Sequence, residues 1–274
     1  MSGGGGTERM ARRMLEKARK MSVPSLPDLN VEPISRVEFA RAAGIEPDEW
    51  QAMVLESEER KLLMLCSRQS GKSTTAAMLA VHEAIYQPGS LALCLAPSLR
   101  QSGELFRTCR QIVGRVEVEV PEIIAESALR LELGNGSRII ALPGSESTTR
   151  GYSAATLVVI DEAARVSDEL IAAVRPTLAT TNGRIIALST PAGKRGWFYL
   201  EWASGQGWFR TKVVADDCPR ISSEFLEDER RILGEHQFMQ EYMCEFYDAD
   251  SAVFSSEMIE AAMSDHVEPL WEAA

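Results

Sequence analysis

The chain has 274 residues, 45% apolar and 25% charged, and its 40 acidic side chains outnumber 29 basic ones to leave a net charge of −11. That balance suits one large domain with a substantial core. It excludes a general coating of nucleic acid, so any DNA contact must come from a local basic patch. Five scattered cysteines without C-x-x-C pairing, and only three histidines, predict a reduced, cytosolic chain without a zinc site; no run approaches membrane-spanning length and no signal core follows the N-terminal charges.

Met1 to Gly6 is a Gly-rich tether. Thr7 to Lys20 sets Arg9, Arg12, Arg13, Lys17, Arg19 and Lys20 around Met10, Met14 and Leu15, a basic amphipathic helix. Such a helix either packs one stripe on the domain or contacts DNA or a partner. Three prolines between Ser22 and Pro33 make an extended linker. The expected division is therefore an arm over 1–34, an α/β domain over 35–250 and a tail over 251–274. A helical pattern resumes over Ser35 to Ala43. Next, Ile45 to Gln51 reads as a Pro-led helix start, for which two readings stand. Trp50 and Gln51 frame an adenine, with Gln51 donating and accepting on the base edge, or Trp50 simply fills the core of an amphipathic helix.

The organising stretch follows. Leu62 to Cys66 reads as a buried strand and Ser67-Arg68-Gln69-Ser70-Gly71-Lys72-Ser73-Thr74 as a polar loop; Ala76 to Val81 begins a helix. Strand, loop and helix in that order are the setting of a phosphate-binding loop, in which backbone N–H groups and the positive helix end surround a polyphosphate. Lys72 is placed for the β- and γ-phosphates and the Ser73 hydroxyl for Mg²⁺. Cys66 stands where the usual pattern begins with glycine.

Further along, Ser90 to Ala96 is a second buried strand and Ser98 to Gly114 a helix. Ile123 to Leu133 and Arg138 to Leu142 predict a hairpin around Gly134-Asn135-Gly136, with Asn-Gly favouring a tight primed turn. A polar loop, Pro143 to Ser153, contains Arg150 and leads into Thr156 to Ile160, an apolar strand ending in Asp161-Glu162. Asp161 suits Mg²⁺ held through water; Glu162, pointing elsewhere, suits a general base that polarises the attacking water. Ser167 is the expected cap of a helix through Val174. Gly183 to Leu188 is another strand, ending in Ser189 and Thr190. Those hydroxyls either sense a γ-phosphate or cap the strand. Lys194 and Arg195 follow on a loop and are DNA candidates with the N-terminal helix. Arg210 to Ala215 is a last strand and Ser222 to Leu233 a helix. The alternation predicts an α/β fold, a P-loop NTPase of the ASCE type with a mostly parallel sheet and helices on both faces, handling ATP.

Several of these segments together resemble phage terminase large subunits, the motors that package DNA into procapsids. Ser67 to Thr74 is similar to that family's variant phosphate loop, which tolerates loss of the first glycine and carries an arginine where Arg68 stands. Leu157 to Ala164 resembles its second nucleotide motif and Leu188 to Pro191 its coupling motif. Thr149 to Ser153 resembles the loop before the carboxylate strand, and Phe238 to Phe246 the segment closing its ATPase domain.

The resemblance spans about residues 45 to 250 and implies a Mg²⁺-dependent ATPase. Ser67, Arg68, Gln69, Ser70, Gly71, Lys72, Ser73 and Thr74 would hold the nucleotide, Gln51 would read adenine, and Ser73 with Asp161 would bind magnesium. Glu162 would activate water and Thr190 couple hydrolysis to movement. Arg68 would stabilise charge in cis, and Arg150 would act as an arginine finger toward a neighbouring subunit. The implied partners are double-stranded DNA, a portal and a small terminase subunit, in a homo-oligomeric ring in the host cytoplasm, away from membranes. Large terminases continue into a nuclease domain; the residues after Glu245-Phe246-Tyr247-Asp248 are too few for one, so nuclease activity is not expected. Two alternatives compete with the motor. One is a helicase-like translocase, disfavoured by a single nucleotide core. The other is a nucleotide-binding docking module without turnover, disfavoured by the joint presence of Lys72, Ser73, Asp161 and Glu162.

Overall fold

A computed structural model describes residues 32–145, 149 and 151–248. The expected N-terminal basic helix, most of the Pro-containing linker, Arg150 and the tail over 251–274 lie outside the described residues. In chain order the elements are α1 (Arg36–Ala42), α2 (Glu49–Glu56), β1 (Lys61–Cys66), α3 (Lys72–Tyr86), β2 (Leu91–Ala96), α4 (Leu99–Val113), β3 (Ile123–Glu126) and β4 (Arg130–Leu133). They continue with β5 (Arg138–Pro143), β6 (Leu157–Asp161), α5 (Asp168–Val174), β7 (Arg184–Ser189), α6 (Gly196–Ala203), β8 (Phe209–Val213), α7 (Ser223–Leu233) and α8 (Glu235–Glu241).

One eight-stranded sheet has the order β3-β4-β5-β2-β6-β7-β1-β8. From β5 to β8 every neighbouring pair is parallel, and β3 and β4 add an antiparallel edge. Because side chains alternate across a strand, the apolar runs feed two cores. Leu62, Met64 and Cys66 of β1 face a core filled from α1 to α4 by Phe39, Val54, Met78 and Leu105. Leu63 and Leu65 face the opposite core, filled by Leu170 and Val174 of α5 and by Trp197 and Phe198 of α6. The parallel sheet with helices on both faces is thus the one expected.

Register decides where the chemistry meets. Leu65 pairs with Ser189, Cys66 with Val213 and Asp161 with Leu188. The ends of β1, β6, β7 and β8 therefore share one edge, with β7 between the phosphate-loop strand and the carboxylate strand. Ligand sites in parallel sheets form at this edge.

Three local expectations change. Residues 123–133 divide into β3 and β4, so the hairpin over 134–137 joins β4 to β5. Its turn is not primed: only Gly136 has positive φ, at 82°, and Gly136 N–H donates to Leu133 O. The reason is tertiary. Buried Asn135 donates from Nδ2 to Ala84 O at 2.9 Å and Ile85 O at 3.0 Å, capping the last turn of α3. Ser167 occupies the cap position of α5, but its side chain accepts no bond from that helix's N–H groups. Glu169's own backbone N–H, and after it the neighbouring Ser167 side chain, hold the Glu169 carboxylate below its usual range.

Candidate nucleotide site

The loop after β1 is shaped by its own backbone. Ser67 N–H donates to Val213 O at 2.8 Å, continuing the pairing with β8, and Arg68 N–H donates to Glu241 O at 3.0 Å. Gln69 and Gly71 have φ of 59° and 91°, left-handed values that close the loop within a few residues and that glycine adopts without cost. Ser67 and Ser70 are buried and brace the loop, with Ser70 Oγ donating to Ser67 O at 3.0 Å. Cys66, which stands where the usual pattern has glycine, is the last residue of β1. Its side chain is fully buried in the helix-lined core, and burial beside Cys244 pushes its thiol well above the ordinary range. The thiol is inert packing at the strand end.

α3 starts with Gly71 as its N-cap and no side-chain cap, so its first N–H groups are open to an anion. They border a cavity of about 470 Å³ lined by Arg68, Gln69, Gly71, Lys72, Ser73, Thr74, Gln101, Glu162 and Arg165. Lys72 is mostly buried, and its Nζ reaches Ser67 O at a long 3.4 Å. The ammonium is therefore held near the loop with donors to spare.

Ser73 Oγ donates to Asp161 Oδ2 at 2.8 Å, across 88 residues of sequence. A hydroxyl and a carboxylate in contact are the hard oxygen donors that Mg²⁺ takes, leaving its other positions to water and phosphate. The pair fits that ion. Glu162 N–H donates to Asp161 Oδ1 at 2.9 Å, and Glu162 adopts φ 51° and ψ 41°. This left-handed residue turns its carboxylate away from that of Asp161 into the cavity wall, at a backbone cost of about 1–3 kcal/mol.

Glu162 does not stand alone. Arg165 Nη1 donates to Glu162 Oε2 at 2.7 Å and to Thr190 Oγ1 at 3.1 Å, while its Nη2 meets Glu241 Oε1 at 3.4 Å. The other oxygen of that buried Glu241 accepts from Arg68 Nε at 2.8 Å. The bond to Glu241 raises the Arg68 guanidinium further above its ordinary value. Arg68 itself stays more than half exposed at the cavity.

Gln51 is buried with its Oε1 accepting from Asp48 N–H at 2.9 Å. A Cβ built on Gly71 would lie 2.8 Å from Gln51 Nε2, so the amide rests directly on the phosphate loop. Trp50 is in the core, and its Nε1 finds no partner among the described residues. Arg220 braces the same corner, chelating Asp48 at 2.7 and 2.6 Å and donating to Ser70 O at 3.2 Å.

The sequence-predicted loop residues, Ser73, Asp161, Glu162 and Thr190 thus converge, and Gln51 joins them from α2. Ser189 is buried in the core, and its hydroxyl has no hydrogen-bond partner among the described residues. Lys194 and Arg195 lie on the loop leading into α6, where Lys194 N–H donates to Tyr247 O at 2.9 Å. Sequence reasoning missed Gln101, Arg165, Arg220 and Glu241. Only Arg165 left a readable signal, three residues after Glu162 and hence one 3₁₀ turn away.

Taken together, the strand order, the loop between β1 and α3 and the carboxylates ending β6 define a P-loop NTPase fold of the ASCE type. The family model described as terminase large subunit, T4likevirus-type, N-terminal, matches residues 63–261, and the chain belongs to that family. The terminase large subunit of Thermus phage G20c is 28% identical over 253 residues, covering 79% of this chain and 52% of its own length. The chain spans about half the length of the curated relatives it matches. Among solved structures, the Thermus phage P74-26 large terminase ATPase domain aligns with a TM-score of 0.66 at 23% identity, over 78% of this chain and 98% of that one. The large terminase of a thermophilic bacteriophage in complex with ADP aligns with a TM-score of 0.60 at 12% identity, over 73% and 54% of the two chains. At such identities the likeness is one of fold.

Proposed function

We propose that this chain is the ATP-hydrolysing motor domain of a terminase large subunit, powering the movement of double-stranded DNA into a procapsid. The observation that carries the reading is the direct contact of Ser73 with Asp161, where Ser73 lines one cavity together with Lys72 and Glu162. The loop N–H groups and Lys72 bind and orient the triphosphate, and Gln51, resting on Gly71, reads the adenine edge. When bound through Ser73 and Asp161, Mg²⁺ supplies charge neutralisation on the phosphates. Glu162 orients a water and takes its proton, and Arg68 stabilises negative charge on the transferred phosphoryl. Such a group is worth about 10³–10⁵ in rate when supplied as a finger. Thr190, between phosphate loop and carboxylates at the end of β7, relays the change to the next segment.

Arg150 serves as the finger of a neighbouring subunit in a homo-oligomeric ring docked on a portal, with the small terminase subunit as a further partner, in the host cytoplasm. Solved ATPase-domain and ADP-complex structures share this fold, which supports the nucleotide reading. The test is steady-state hydrolysis of Mg²⁺-ATP beside Glu162→Gln, with and without duplex DNA. Turnover lost in the variant while ATP still binds is the expected result. Equal turnover in both proteins overturns the assignment of Glu162. Turnover per subunit that rises with protein concentration, and does so less in Arg150→Ala, is expected of a finger in trans.

A further inference from the structure

Asp161 ties the start of the Glu162 loop to Ser73, and the side chain of Arg165 ties its end to two further elements. Arg165 lies at the end of the 3₁₀ turn that begins after Glu162, with Arg165 N–H donating to Glu162 O at 2.9 Å. The turn folds its guanidinium back over the carboxylate. One nitrogen, Nη1, is shared between Glu162 Oε2 and Thr190 Oγ1, and the other end rests on Glu241, whose carboxylate is buried and therefore fixed. The guanidinium thus joins three elements from distant parts of the chain: the end of β6, the residue after β7 and the last turn of α8.

We infer that Arg165 is a positioning residue that locks the carboxylate of Glu162 to the hydroxyl of Thr190. The inference rests on the proposed hydrolase reading. The chemistry suits the task. A guanidinium stays charged at any working pH, so it takes no proton from water itself, and its planar fork can hold two oxygens at a fixed angle where an ammonium holds one point. A glutamate in a left-handed turn has a free χ1, χ2 and χ3; Arg165 removes that freedom before substrate arrives, which is the condition for an oriented base. The same bridge makes the strand end at Thr190 respond to any movement of the Glu162 carboxylate.

The experiment compares Arg165→Ala, Arg165→Lys and Glu162→Gln in the full chain, by single-turnover ATP hydrolysis with enzyme in excess and by nucleotide binding. Arg165→Ala is expected to lower the hydrolysis rate about ten- to hundredfold, with nucleotide affinity within about threefold of the parent. Arg165→Lys should recover only part of the rate, and millimolar guanidinium should raise the rate of Arg165→Ala but not of Arg165→Lys. In a Thr190→Val background Arg165→Ala should cost less than it does alone, because the bridge is already broken. Loss of affinity in proportion to rate, or full rate in Arg165→Ala while Glu162→Gln is inactive, overturns the inference and leaves the hydrolase reading standing. Full rate in Glu162→Gln overturns the hydrolase roles instead.

Should the parent chain show no turnover, urea unfolding of the 162–165 double-mutant cycle decides the positioning contact. Coupling of about threefold or more in the unfolding constant supports it, and additivity overturns it.

Discussion

Gly71→Ala probes the junction of phosphate loop and α3. Gly71 has φ 91° and ψ 12°, and a Cβ there meets Gln51 Nε2 at 2.8 Å, with Arg220 Nη2 next at 3.5 Å. The left-handed backbone costs a residue with a Cβ about 1 kcal/mol relative to glycine. Displacing the Gln51 amide from a packed contact costs about 1 kcal/mol more. The sum, about 2 kcal/mol, is roughly thirtyfold in the unfolding constant and about 4–8 °C in Tm for a domain of this size. Urea unfolding of Gly71→Ala, Gln51→Ala and the double variant separates the parts. The double variant should be more stable than the sum of the single losses by about 1 kcal/mol, since Gln51→Ala removes the obstructing amide. The backbone part should remain, and nucleotide affinity should stay low in both variants that carry Gly71→Ala, because the loop N–H groups are turned from the cavity. Strict additivity would refute the contact with Gln51. Full stability in Gly71→Ala would refute the strain argument itself.

Asn135→Ala should destabilise by about 2–3 kcal/mol in urea unfolding, because it strands two buried carbonyls at the end of α3 and the N–H of Ser137 that Asn135 Oδ1 accepts; a loss under about 0.5 kcal/mol would mean water replaces the amide. Ser73→Ala should weaken nucleotide binding in Mg²⁺ while leaving binding in EDTA nearly unchanged, measured by calorimetry; equal losses in both would remove Ser73 from the metal. Stability should fall as pH rises above about 9. Burial pushes the Cys244 thiol up to about 12, and burial with the hydrogen bond to Glu229 pushes the Tyr242 phenol up to about 12. Both hold their proton more tightly folded than unfolded, so their contribution is complete below the unfolded values and is lost as pH climbs toward the folded ones. Cys244→Ala with Tyr242→Phe should make that alkaline limb shallower in denaturation measured from about pH 8 to 11, with the remainder carried by the Cys66 and Cys218 thiols, which burial also pushes up, and the Cys109 thiol, which its hydrogen bond with Cys94 and burial push up.

The amino-acid sequence by itself determined the parallel strands, because apolar runs such as Leu62 to Cys66 and Leu157 to Ile160, of strand length and bounded by polar turns, suit strands buried on both faces. It also located the proposed phosphate loop, since Gly71, Lys72 and Ser73 lie in one local turn, and the carboxylates, because a strand end fixes where adjacent Asp161 and Glu162 emerge. Local signals ran out where a partner lay far along the chain. Asn135-Gly136 predicts a primed turn from its neighbours alone; the helix end at Ala84 and Ile85, 51 and 50 residues away, recruited the side chain and set another geometry. Trp50 and Gln51 are adjacent, yet only the packing of α2 sent one into the core and the other onto Gly71. Arg165, Glu241 and Arg220 gain their roles from contacts spanning 25 to 173 residues. Such contacts follow from strand order and register, which bring β6, β7 and β1 to one edge, and from the docking of α8 on that edge. Charge on a side chain is written locally, but its partner is chosen by the fold.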